Sequence, residues 1–454
     1  MRNAKQQLIG WALIGFVAVL TLCAGGLIVL KVMPPREQSR IMLRLPAPVR
    51  QAVSNLLFPH PDNVPPPSEP VKNVSLLLTP AATRPPTLLP TVTPLAPSPV
   101  PAIDSTDIPP TKPAPTVAVP AQDPIAIPTI HAPGPKQAAR STPAAPEGID
   151  VLLTGAKQEY QLWNNCGPAT LSMNLGFHGW QGSQVDAAKF LKPDQEDKNV
   201  SPYQMVEYAR SVGYNAIERV NGTPELVKDL LRVGVPLLIE KGFEPEDDLG
   251  WMGHYELIVG FNDLKQEFIA MDSYLGPYQS VPYAEYDQYW RQFNRTYLAI
   301  YPNDKAEQVT ALLGNQLDDA TMWAGSLATA QQEAAANPND AFAWFNLGTS
   351  YVGLQDWPNA AAAYDHARQL GLPWRMTWYQ FGWFEAYLRT GRYEDVLALA
   401  DTTIKVATNI EEMFYYKGLA LKALGNYDAA RSQFELALKH NSNFEPARQA
   451  LALQ

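Results

Sequence analysis

The sequence predicts four parts in series: an apolar N-terminal transmembrane helix, a disordered proline-rich linker, one α+β domain and an all-α helical-repeat solenoid. Three observations predict it. An uncharged run of 23 residues spans Leu8 to Leu30, 29 of the 42 prolines fall between Pro34 and Pro146, and glycine–aromatic pairs recur 34 residues apart near the C-terminus. At roughly 150 residues per domain, 454 residues are too many for one. The expected parts are 1–33, 34–148, 149–302 and 303–454.

As a helix, Leu8 to Leu30 extends about 35 Å, enough to cross a bilayer core of roughly 30 Å. The run stays apolar through Leu27 to Leu30 after Ala24-Gly25-Gly26, so an uncleaved anchor is expected in place of a cleaved signal peptide. Cys23 follows bulky Leu22, which argues against lipid attachment there. Arg2 and Lys5 precede the run, and Lys31, Arg36, Arg40 and Arg44 follow it. Positive-inside counting would hold the C-terminal bulk in the cytoplasm. A lone N-terminal anchor and a long spacer argue the opposite, and the expectation is a single-pass cell-membrane protein with its domains outside the cytoplasm.

The stretch from Pro34 to Pro146 holds a single glycine, Gly134. Its many prolines remove the amide donors that helices and ladders need, so extended polyproline II at about 3.1 Å per residue is expected. Such a linker reads as a tether of long reach, ahead of a ligand for proline-binding domains. Composition excludes other classes. Two cysteines, Cys23 and Cys166, rule out a disulfide framework and a cysteine-rich metal site. A net charge of −10 argues against a nucleic-acid surface. No cofactor or metal is expected.

From Val151 the text turns globular. A helix is expected from Gly167-Pro168, and another over Pro224 to Val233 behind the N-cap Thr223. Val235 to Ile239 reads as a buried strand, and His254 to Phe261 and Phe268 to Asp272 as a hairpin about Asn262-Asp263. Helices mixed with antiparallel strands indicate a single α+β domain.

Beyond Pro302 alanine-rich helices repeat. Gly391/Tyr393 and Gly425/Tyr427 are 34 apart, and Trp357 stands 36 before Tyr393. Trp344, Leu347, Gly348, Tyr351, Ala360, Tyr364 and Ala367 match a first tetratricopeptide repeat, and Gly418, Ala430, Phe434 and Ala437 a third. Phe384, Tyr387 and Ala400 mark a weaker middle copy. Gly314 and Ala330 lie 34 before Gly348 and Tyr364, so a degenerate fourth unit is expected from near Lys305. Small residues let paired helices approach and aromatics fill the gap to the next pair. The array implies a concave face for a protein or peptide partner, or a cap on its neighbour.

The chemistry centres on Gln161-Leu162-Trp163-Asn164-Asn165-Cys166-Gly167-Pro168-Ala169. Proline is favoured just inside a helix start, which places Cys166 at the positive end of the helix dipole, where a thiolate is favoured. A thiolate nucleophile needs an imidazole. His178 lies 12 residues along the helix, about 18 Å away, leaving His254 in Gly253-His254-Tyr255. The imidazole needs an acceptor to fix its tautomer. A hairpin folded symmetrically about Asp263 sets His254 opposite Asp272 at roughly 5 Å between Cβ atoms, ahead of Glu256 and Asp263. An oxyanion needs donors. The Cys166 amide supplies one, and Gln161 is chosen for the other over Asn164, Asn165 and Gln158.

These residues, with Asp272-Ser273-Tyr274-Leu275-Gly276, resemble the papain-like bacteriocin-processing peptidases, cysteine peptidase family thirty-nine, in stand-alone form. The resemblance spans about residues 150–302 and implies a papain-like fold with a Cys166–His254–Asp272 triad and Gln161 as oxyanion donor. The glutamine precedes the cysteine by five residues, where the family's interval is nearer six. Exporter members also carry several membrane spans and a nucleotide-binding domain, which this sequence lacks, so cleavage of double-glycine leaders does not follow. The expected function is a membrane-anchored cysteine peptidase acting on peptide or protein substrates, with the repeats binding substrate or a protein partner. The alternatives are an acyl or amide transferase with the same triad, and a non-catalytic protein-binding scaffold.

Overall fold

The structure is a computed structural model that describes residues 26–33, 35–42, 44–69, 74–78, 150–245 and 249–453. Most of the expected span from Leu8 to Leu30, Cys23 included, lies outside the described residues. Among the described residues no helix is long and apolar enough to cross a membrane.

The expectation of a structureless linker fails at its start. Pro35–Met42 and Ala47–Leu57 are helices, and Leu30, Met42 and Leu57 close a small apolar cluster. Prolines sit at helix starts here, where a missing amide costs nothing. Residues 59–69 and 74–78 are also placed. Val64 and Leu77 are buried in the apolar cluster of the C-terminal helices. Residues 79–149 lie outside the described residues.

The α+β domain is built on a seven-stranded antiparallel sheet: β1 Val151–Leu152, β2 Asn215–Arg219, β3 Leu237–Phe243, β4 Met252–Asn262, β5 Glu267–Asp272, β6 Gly276–Pro282 and β7 Tyr297–Tyr301. The order is β2-β7-β3-β4-β5-β6, and β1 pairs with the far end of β4. One face carries the helices Cys166–Phe177, Gln184–Leu191 and Pro202–Ser211 over Leu171, Met205, Leu257 and Ile269. The other carries Pro224–Arg232 and Tyr283–Trp290 over Leu230, Ile239 and Phe268. Two covered faces explain the near-continuous burial of β3, β4 and β7. Thr223 caps the helix Pro224–Arg232 through the Leu226 amide.

Two details correct the sequence reading. The β4–β5 register pairs Asn262 with Glu267 and Glu256 with Asp272, shifting between Ile258 and Gly260. The turn therefore spans 263–266 and is not centred on Asp263. The shift leaves the Val259 carbonyl to accept from the Leu153 amide, 2.8 Å, where β1 joins. In addition, β3 runs past Ile239 to Phe243, because Lys241 finds Glu256 across the sheet at 3.0 Å and burial pushes the Glu240 carboxyl well above its ordinary range, toward the neutral form.

The C-terminal helical region is a chain of antiparallel helix pairs, including Ala341–Gly353 with Trp357–Leu370 and Glu411–Ala423 with Tyr427–His440. Gly348 and Gly418 allow those approaches: a Cβ would lie 2.7 Å from the Tyr364 ring and 2.5 Å from Phe434. The helix Ala306–Leu313, expected to start the repeats, instead sends Val309 and Leu313 into the sheet core.

The helical region packs directly on the α+β domain. Trp251 stacks on Phe293 and both join the apolar cluster of the helices. Arg291 pairs with Asp340 at 2.6 Å and Arg295 with Glu333 at 2.7 Å. Asp197, Glu411 and Glu412 are buried together at a second contact, where Ser201 donates to Glu412 (3.2 Å) and Asn441 to Glu411 (2.7 Å). Burial and the Glu411 charge push the Glu412 carboxyl well above its ordinary range. An acid that holds its proton longer folded than unfolded loses stability as pH rises beyond the unfolded value near about 4.3. Glu412→Gln keeps the acceptor for Ser201 and removes that cost. It is expected to stabilise the protein by about 1–3 kcal/mol at pH 8 and by little at pH 4, which thermal unfolding at the two pH values measures.

Candidate active site

The chain enters the site through a tight turn. Asn164 sits at φ 52°, a left-handed conformation that asparagine tolerates, and the Asn165 amide donates back to the Leu162 carbonyl, 3.2 Å. Asn165 then precedes the helix Cys166–Phe177, so Cys166 is its first residue. The buried Asn165 side chain donates to Gln184 Oε1 at 2.9 Å, tying the turn to the next helix. Gly167 is small because Tyr255 and Val200 each lie 3.4 Å from where its Cβ would be.

Cys166, His254 and Asp272 meet here, with His254 near enough to pull the buried Cys166 thiol below its ordinary pKa. His254 Nε2 lies 3.2 Å from Asp272 Oδ2, and both residues are buried. With Nε2 held by the carboxylate, Nδ1 is the nitrogen left for the sulfur. The residue directly opposite Asp272 is Glu256, so His254 reaches the carboxylate as a diagonal neighbour, a geometry within range of long side chains. Glu256 pairs instead with Lys241 at 3.0 Å. Asp263 is a turn residue bound by Lys228 (2.6 Å) and Tyr283 (2.9 Å).

Asp272 is itself aimed. Its Oδ1 accepts the amides of Tyr274 (2.6 Å) and Leu275 (2.8 Å), which fixes the carboxylate and turns Oδ2 toward the imidazole. The Phe243 ring stacks on His254 with centroids 4.4 Å apart and holds the imidazole plane. The sequence reading missed Phe243, because it ended β3 at Ile239. It also missed Lys192, whose Nζ donates to the carbonyls of Asn164 (2.9 Å), Gln195 (3.3 Å) and Asp197 (2.9 Å).

The four competing amides separate. Gln158 Nε2 donates to the Asp272 carbonyl (2.7 Å) and Asn164 Nδ2 to the Glu196 carbonyl (3.4 Å), while Asn165 is engaged by Gln184. Gln161 is held differently. Its backbone amide donates to the Ser273 carbonyl and its Oε1 accepts from Ser273 Oγ, both at 2.9 Å. Among the described residues Nε2 of Gln161 has no protein acceptor. Ser273, next to Asp272, thus fixes which end of this amide is committed. His178 lies at the far end of the Cys166 helix, where burial lowers its pKa to about 4.

Burial alone would raise the Cys166 thiol. The hydrogen bond and charge of His254, the Tyr255 backbone and the Lys192 charge overcome it, and the pKa is lowered. Burial would likewise strip the proton from His254, but the charge and hydrogen bond of Asp272, with Cys166, raise it to about 10. As pH rises through about 10 the imidazolium deprotonates, and as pH falls through the lowered thiol value the sulfur regains its proton. Between these limits the site holds a thiolate–imidazolium pair.

The Peptidase C39-like family matches residues 153–298. Two solved structures each match about a third of the chain. A C39-like peptidase from Bacillus anthracis is 16% identical, over 34% of this chain and 98% of that one, with a TM-score of 0.29. The peptidase domain of Streptococcus ComA, a bi-functional ABC transporter involved in a quorum-sensing pathway, is 15% identical over 33% of this chain and 98% of that one, with a TM-score of 0.27. No curated protein matches the chain.

Asp272→Asn retains an acceptor for the Tyr274 and Leu275 amides and removes the charge that holds the imidazolium. Cys166 alkylation by iodoacetamide at pH 6 is expected to fall about tenfold or more, since each unit of pKa is a factor of ten. An unchanged rate at that pH would show that the thiolate does not depend on the carboxylate.

Proposed function

We propose that this chain is a cysteine peptidase in which Cys166, His254 and Asp272 form the catalytic triad and Gln161 donates to the oxyanion. The observation that carries the reading is the convergence of a helix-start thiol, a buried imidazole and an aimed carboxylate. The C39-like match over the same residues supports it.

The Cys166 thiolate attacks the carbonyl carbon of a peptide bond. An S–C bond forms and the carbonyl π electrons move to oxygen, where the Cys166 amide and Gln161 Nε2 stabilise the charge. The His254 imidazolium gives its proton to the amide nitrogen, the C–N bond breaks and the amine leaves. A water then loses a proton to His254 and attacks the thioester carbon. The S–C bond breaks, the acid departs, and the thiolate–imidazolium pair is restored. Asp272 stays ionised throughout and keeps Nδ1 facing the sulfur.

In this reading the apolar run from Leu8 to Leu30 anchors the chain in a membrane with its domains on the extracytoplasmic side. The C-terminal region is a tetratricopeptide array, in keeping with its paired helices and its Gly348–Tyr364 and Gly418–Phe434 approaches.

The test is cleavage of a peptide library by the full chain. Cys166→Ala is expected to abolish cleavage. Gln161→Ala is expected to lower kcat by about 10²–10³-fold while leaving Cys166 alkylation unchanged, because it acts on the oxyanion and not on the thiolate. Cleavage that survives Cys166→Ala would overturn the proposal, and product formed only with an added amine acceptor would reassign the enzyme to acyl transfer.

A further inference from the structure

The groove of the C-terminal helices already holds a peptide. Residues 60–68 lie along it in extended form. The Val64 amide donates to the Leu372 carbonyl at 3.0 Å, and Asn63 bridges to Pro373. The His60 ring stacks on Trp374 with centroids 4.6 Å apart. Three consecutive prolines follow, Pro65 to Pro67, which present carbonyl acceptors and no amide donors. The groove answers with a donor. Arg368 sends Nε to the Pro65 carbonyl (2.9 Å) and Nη2 to the Pro66 carbonyl (2.8 Å), with its side chain fully buried. Its third nitrogen is neutralised by Asp395 at 2.9 Å. Where the prolines end and donors return, at Ser68, the groove switches to an acceptor: Asp395 takes the Ser68 amide (3.1 Å) and hydroxyl (2.5 Å). Burial would raise the Asp395 carboxyl, and the Ser68 and Arg392 hydrogen bonds hold it down at about 2.

The stretch 371–380 separates this groove from the catalytic strand and touches both. On one side its Leu372, Pro373 and Trp374 meet the docked segment. On the other, Arg375 Nη1 donates to the carbonyls of Leu249 (2.6 Å) and Trp251 (3.0 Å), and Gln380 to that of Gln292 (3.1 Å). Tyr379 leans on Gly253, the residue before His254, so closely that a Cβ there would lie 2.9 Å from its ring.

We propose that the Arg368–Asp395 groove is a binding site for an extended, proline-bearing peptide, that its occupant is residues 60–68 of the same chain, and that the docked segment braces the catalytic histidine through residues 371–380. The match is chemical: a rigid polyproline run loses little entropy on binding, and donor and acceptor alternate in step with what the segment offers. The binding half stands by itself. The bracing half rests on the peptidase reading of Cys166 and His254. Residues 371–380 act here as positioning residues, not catalytic ones.

The full chain with Val64→Asp, which sets a charge in the apolar seat, is expected to release the segment. Ser68→Pro, which removes both donors to Asp395, is a milder second route should Val64→Asp misfold. In the wild-type chain the amides of Val64 and Ser68 are expected to exchange hydrogen slowly; the residue-64 amide is expected to exchange rapidly in both variants, and the Ser68 amide rapidly in Val64→Asp. Cys166 alkylation at pH 7 is expected to fall by roughly three- to tenfold in the variants, and a synthetic peptide of residues 59–78 is expected to bind them, quench Trp374 and restore the rate. Rapid exchange in the wild type, or no peptide binding, overturns the site. Protection that vanishes on dilution assigns the occupant to a second copy and overturns the assignment in cis. Binding without any change in alkylation overturns the brace. A wild-type Cys166 that is not activated at all defeats the peptidase reading and leaves peptide binding to decide the site.

Discussion

The site depends on one buried interaction, the contact between His254 and Asp272. A charged imidazole in an apolar interior is costly, and only a well-placed opposite charge offsets that cost. The fold devotes several features to the placement. The register shift between Ile258 and Gly260 sets Glu256 opposite Asp272, where an unbroken ladder from Asn262 would set Leu257, and so brings His254, two residues from Glu256, onto the face of the carboxylate; two backbone amides hold that carboxylate so that its other oxygen meets the imidazole. Phe243 holds the ring plane from a third strand. Removing one partner would leave an uncompensated buried charge, typically about 3–5 kcal/mol of lost stability. The same arrangement supplies the chemistry, because an imidazole whose proton affinity Asp272 raises takes the proton of Cys166 and, as imidazolium, holds the thiolate beside it.

Much of this was legible in the sequence, for identifiable reasons. The helix start at Cys166 follows from a local rule, a proline favoured just inside a helix, here in Gly167-Pro168. His254 followed by elimination, since one of two candidate histidines lay at the far end of a helix. The distance estimate for Asp272 was less secure. It assumed a symmetric hairpin about Asp263, whereas the turn spans 263–266 and the ladder carries a bulge, neither of which alternating apolar text reveals. The diagonal pairing brings His254 and Asp272 together all the same. Phe243 stayed hidden because Glu240-Lys241-Gly242 interrupts the apolar pattern of β3, and Lys241 is buried only because Glu256, distant in sequence, neutralises it.

The linker is the larger departure. Proline content argued for a tether that holds the domains at a distance from a membrane anchor. Over residues 60–68 the same prolines favour docking, since a segment already stiff and extended gives up little freedom when a buried arginine reads its carbonyls. Composition reports what a segment cannot do alone, and it is silent about a partner built 300 residues later. The helical region is likewise joined to the α+β domain through Trp251, Phe293 and the Arg291–Asp340 pair, which repeat spacing could not foretell.

The most direct measure of the central claim is the ultraviolet absorbance of the Cys166 thiolate across a pH titration, read as the difference between the wild-type chain and Cys166→Ser. The account predicts a thiolate that forms below the ordinary cysteine range of about pH 8.5 and is displaced up toward that value in His254→Ala. A wild-type thiolate that appears only near about pH 8.5, with the same midpoint in His254→Ala, would contradict it.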